Sequence, residues 1–151
     1  MMVPGKRKAV LAAAGLILTA VLSGCSIGGP TGQQRADELA TQLERSELGV
    51  SSAEATYLTS FSGDLTVSVV LDPDVVQPGY TVFAETLGPI LGMVAQSAKQ
   101  MNVGGVGFYA EDDGGIHVSM VQAADELGIA EAVDGSSLSL TGERLEILAK
   151  Q

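Results

Sequence analysis

Cysteine and histidine each occur once, as Cys25 and His117, and tryptophan is absent from the 151 residues. A lone cysteine cannot close an internal disulfide, and one histidine with one cysteine cannot assemble a zinc site of the usual kind. Basic side chains are also scarce, with 8 Lys and Arg against 18 Asp and Glu and a formal charge of −10. That sign opposes nucleic acid, whose phosphates demand a basic surface, and it opposes an anionic membrane face. The region expected to fold holds neither a G-x-S-x-G elbow nor an S-x-x-K pair, so the common hydrolytic nucleophiles are missing. No cofactor and no catalytic role are expected.

What is present begins with Lys6-Arg7-Lys8, followed by the uncharged stretch Ala9 to Leu22. A basic start and a short apolar core make the layout of an export signal. At about 14 residues the stretch falls short of the roughly 20 needed for a permanent membrane helix. Either Met1 or Met2 can serve as its start.

The apolar stretch ends in Leu22-Ser23-Gly24-Cys25. An aliphatic residue and two small ones before a cysteine resemble the lipobox of bacterial lipoproteins, and the resemblance covers the first 25 residues. It implies cleavage between Gly24 and Cys25, attachment of lipid to the Cys25 thiol, and a chain held by fatty acyl groups on the extracytoplasmic side of the cell membrane. Paired arginines are lacking, which favours general secretion over the twin-arginine route. Ser26 to Gly32, rich in glycine and without apolar period, reads as a flexible tether spanning roughly 15 Å.

Residues 1–24 contain three of the eight basic residues and no acids, which leaves residues 25–151 with 5 basic against 18 acidic residues and a charge of −13. The 127 residues left from 151 suit one domain, expected over 33–151. Thr31 and Gln34 have the spacing of a capping box, and Ala36, Leu39, Ala40 and Leu43 predict a helix over Gln33 to Ser46, stopped by Gly49. Alternation at Ala53, Ala55, Tyr57 and Thr59 and again at Leu65, Val67, Val69 and Leu71 predicts a hairpin. A long helical stripe follows from Phe83 to Met101, with Pro89 expected to kink it or divide it. Val106, Phe108 and Ala110, then Ile116, Val118 and Met120, predict a second hairpin.

The sum is an α+β domain with about four antiparallel strands from two hairpins and helices packed on one face. Its order reads as a repeated α-β-β unit or as shared strand chemistry. A short helix over Gln122 to Leu127 and a brief strand at Leu138 and Leu140 follow. From Thr141 the chain suits either a helix, through Leu145 and Leu148, or a strand, through Leu145 and Ile147, with the helix preferred.

Three features could carry chemistry. Glu111-Asp112-Asp113-Gly114-Gly115 lacks the spacing of an EF-hand loop and reads as a turn. Gly104-Gly105-Val106-Gly107 precedes a strand pattern instead of a helix N-terminus, so it is no phosphate cradle; its glycines suit a bend or a close backbone approach. His117 lies between Ile116 and Val118, expected to face the core, and so turns outward. With Thr66, Ser68, Tyr109, Glu111 and Ser119 it would share the sheet face away from the helices, a polar platform for a protein partner in the envelope. The expected role is a membrane-tethered, non-catalytic binding or adaptor module. The alternatives are a carrier of lipid or another small apolar ligand, held between sheet and long helix, and an envelope hydrolase.

Overall fold

The computed structural model describes residues 31–151. The expected export signal, the expected cleavage site at Gly24 and Cys25, and most of the expected tether lie outside the described residues.

Helix α1, Gly32–Arg45, opens on the expected capping box: the Gln34 N–H donates to Thr31 Oγ1 at 3.2 Å, and the Thr31 N–H donates to Gln34 Oε1 at 2.8 Å. Ala36, Leu39 and Leu43 form its buried stripe, each leucine contributing about 1.5–3 kcal/mol by leaving water. Strands β1, Val50–Leu58, and β2, Asp64–Leu71, form the first hairpin. After the two-residue strands β3, Val76–Gln77, and β4, Thr81–Val82, comes helix α2, Ala84–Met101. It is one helix through Pro89, not two. The proline lies in the second turn on the exposed side, while Leu87, Ile90, Leu91 and Val94 are fully buried around it. Their burial outweighs the single backbone hydrogen bond that proline removes.

Strand β5, Gly105–Glu111, then runs parallel to β2, in register from Asp64 opposite Gly105 to Val70 opposite Glu111. A parallel neighbour requires a crossover, and α2 supplies it: its 18 residues rise about 27 Å, enough to return the chain to the starting edge. Helix α3, Val121–Glu126, a 3-10 turn at Ala130–Ala132, strands β6, Val133–Asp134, and β7, Ser137–Thr141, and helix α4, Gly142–Leu148, complete the chain. The main sheet has the order β1-β2-β5-β7-β6, and β3 with β4 forms a separate ribbon. The fold is α+β. The tail from Thr141 takes the preferred helical form.

Two sequence expectations are corrected here. The sheet has five strands, one pair of them parallel, in place of four antiparallel strands from two hairpins. Ile116 to Met120 do not form a second full hairpin arm, because β5 already has β2 along one edge and β7 along most of the other. Only the end of β5 is left for them, so the segment makes a bridge of His117 with Glu111 and a hydrogen bond from the Val118 N–H to the Ala110 carbonyl, and then leaves to bridge Ser119 with Thr81. The repeated α-β-β unit therefore fails in its second half. Ile116, expected inside, is 44% exposed.

The outer edge of β1 is tied to α1. The Tyr57 N–H donates to Gln33 Oε1 at 2.9 Å, Gln33 Nε2 donates to the Ala55 carbonyl at 3.1 Å, and the Ala53 N–H donates to Glu44 Oε1 at 3.0 Å. Side chains thus occupy backbone groups that an exposed edge would offer to another strand.

Candidate functional site

Strand alternation sends Leu65, Val67 and Val69 of β2, Val106, Phe108 and Ala110 of β5, and Leu138 and Leu140 of β7 into one apolar core with the helices. Among the described residues no polar or charged side chain is buried. The space beneath α2, where a carrier would hold its ligand, is filled by Leu87, Ile90, Leu91, Val94, Ala95 and Ala98 packed with these strands. The packing supplies nothing in favour of a carrier.

The other face carries no helix. Register across the strands sets its side chains in rows. One row runs Thr56, Thr66, Gly107, Ser139, and the next runs Glu54, Ser68, Tyr109, Ser137. A third runs Ser52, Val70, Glu111 and, through its bridge, His117. Neighbouring strands lie about 4.8 Å apart, so the hydroxyls form a shallow lattice instead of a cleft. Tyr109 lies along its own strand: a Cβ at Gly107 would sit 3.6 Å from Tyr109 Cε2. Gly107 therefore leaves open the ground over which the ring reclines. At the upper border His117 Nδ1 is 3.4 Å from Glu111 Oε1, with both side chains well exposed. A pair this wet contributes little stability, about 0–1 kcal/mol.

Of the residues singled out from sequence, Thr66, Ser68, Tyr109, Glu111 and His117 come together on this face. Ser119 does not: it is exposed, but its N–H donates to the Tyr80 carbonyl at 2.7 Å and it registers against Thr81 of the small ribbon. Ser137, Ser139 and Thr141 were missed. Their parity was readable from Leu138 and Leu140, but nothing local places β7 beside β5.

The acidic run after β5 closes on itself. Asp112 Oδ1 accepts the N–H groups of Gly114 at 3.0 Å and Ile116 at 2.7 Å, and Gly115 takes a φ of 79°. This is the structure of a turn. Among the described residues no cluster of three or more His, Cys, Asp or Glu is arranged to hold a metal ion. Gly104 shows a close backbone approach, its N–H donating to the carbonyls of Ser62 and Gly63 at 3.0 and 2.9 Å. Among the described residues no helix is long and apolar enough to cross a membrane. Comparison with protein-family models, with curated proteins and with solved structures finds nothing that matches this chain.

Proposed function

We propose that the chain is an exported lipoprotein, acylated at Cys25, whose domain is a non-catalytic binding or adaptor module for another protein of the cell envelope. The address comes from Lys6-Arg7-Lys8, the apolar stretch and Leu22-Ser23-Gly24-Cys25. The observation that carries the binding role is the uncovered sheet face, where hydroxyl rows, the Tyr109 ring and the Glu111 and His117 pair stand outside the core. Flat, polar and aromatic-bearing surfaces suit a protein partner better than a small molecule, which needs concavity.

The test is a photo-crosslinking side chain installed at Tyr109 of the full-length protein in its own envelope, with Glu85 on the helical side as the control position. A discrete crosslinked protein from position 109, absent from position 85 and lost when Ser68→Lys is added, is the expected result. Equal labelling at both positions, or none at 109, refutes the assignment of this face. The address has a separate test, since Cys25→Ala is expected to leave an uncleaved, unacylated precursor. A normally cleaved, soluble product would mean ordinary secretion.

A further inference from the structure

We infer that the pole of the domain from which the tether departs, tipped by Leu58 and Phe61, rests on the bilayer with Phe61 dipping into its surface. This rests on the acylation of Cys25 proposed above.

The two ends of the sheet differ. One end holds Thr31 at the start of α1, the β1–β2 loop, the link from α2 to β5, and the junction of β7 with α4. Tyr57 joins the first two: a side chain at Gly32 would collide with its ring, and a Cβ at Gly63 would stand 3.1 Å from its hydroxyl. Gly104, bonded to the Ser62 and Gly63 carbonyls, joins the third. Phe61 at the loop's tip is 111% exposed and Leu58 is 51% exposed, so the domain gives neither a full cover.

Thr31 lies only six positions after Cys25, with five residues between them. Even at full extension those six steps reach no more than about 21 Å. The strands put the opposite pole about 25 Å further off. The short tether therefore holds the Phe61 end near the lipid surface.

Charge is distributed to match. Residues 58–63 and 100–105 carry no charge, and around them the acids are matched by bases: Arg35, whose Nη1 donates to the Gln100 carbonyl at 3.1 Å, shares a hollow with Glu38, and Lys99 shares one with Glu146. Asp64 at the base of the loop is bonded by Ser60 Oγ at 2.9 Å. At the opposite pole a hollow of about 490 Å³ is edged by Glu44, Glu47, Asp72, Asp74 and Glu85. Residues 25–151, with a charge of −13, are repelled least by an anionic leaflet with those carboxylates turned away. Exposed phenylalanine and leucine side chains gain by burying apolar surface at the boundary of headgroups and acyl chains.

Tryptophan is absent from the sequence, so Phe61→Trp in the full acylated protein reports one place. Reconstituted into phosphatidylethanolamine and phosphatidylglycerol vesicles, this variant is expected to show a blue-shifted emission that is lost to brominated lipid. Phe83→Trp, at the opposite pole and 52% exposed, is expected to show neither. Quenching at both positions, no change at 61, or a shift at 61 without quenching by brominated lipid, which would mean a protein contact, each overturns the orientation. The mass of the N-terminal peptide separates the two claims: acylated Cys25 with an unaffected Trp signal refutes the orientation alone, and an unmodified Cys25 refutes the lipoprotein reading with it.

Discussion

The two faces of the sheet come from the same strands and obey the same alternation, but they solve different problems. Under the helices, Val67, Val69, Phe108, Leu138 and Leu140 are 0–2% exposed and interlock with α2. On the far side Thr66, Ser68, Gly107, Tyr109 and Ser139 meet water or each other. Stability is concentrated on one face, which leaves side chains on the other free to vary without disturbing the core. A binding role is most easily accommodated where packing makes no demands.

The sharpest way to break this contrast is Phe108→Ala. Phe108 is fully buried at the centre of the sheet, and its truncation is expected to cost about 3–5 kcal/mol in urea unfolding; a loss near zero would mean that the core is not centred there. A paired test on one strand follows. Leu140→Ala is expected to cost about 2–5 kcal/mol, whereas Ser139→Ala, one residue away on the open face, should stay within about 0.5 kcal/mol. Equal effects would erase the distinction between the faces.

Smaller changes probe the border between them. Gln33→Ala strips two of the bonds that tie the β1 edge and is expected to cost about 0.5–1.5 kcal/mol. The same variant should self-associate at high concentration, measured by light scattering, as its edge becomes available. The smallest effect belongs to His117→Gln. Both members of its pair with Glu111 are more than a third exposed, so less than about 0.5 kcal/mol is expected; a larger loss in thermal unfolding would show that the open face supports the fold.

Local signals were legible wherever a residue's surroundings are set by chain neighbours. Thr31 and Gln34 cap α1 reciprocally as their spacing predicts, β1 and β2 pair as a hairpin, and the short helix expected over Gln122 to Leu127 forms as α3. The misreadings are non-local. Ile116 to Met120 has a strand's alternation, but its neighbour β5 is taken on both sides. Within the candidate site, the parity of Thr66, Ser68 and Tyr109 was readable, whereas Ser119 left for the ribbon and Ser137 and Ser139 arrived with β7.

The sequence by itself determined the chemistry available: an acidic chain with one cysteine and one histidine, a lipobox-like start, and strands that alternate apolar with hydroxyl. Periodicity is a property of consecutive residues, so it reads directly into which side of a strand faces the core. Only the tertiary structure decided which strands adjoin, because pairing joins residues far apart in the chain and competes for a limited number of sheet edges. That competition made β2 and β5 parallel neighbours and gave the open face its hydroxyl rows. It also brought Thr31, at the start of α1, and Phe61 to one end of the molecule.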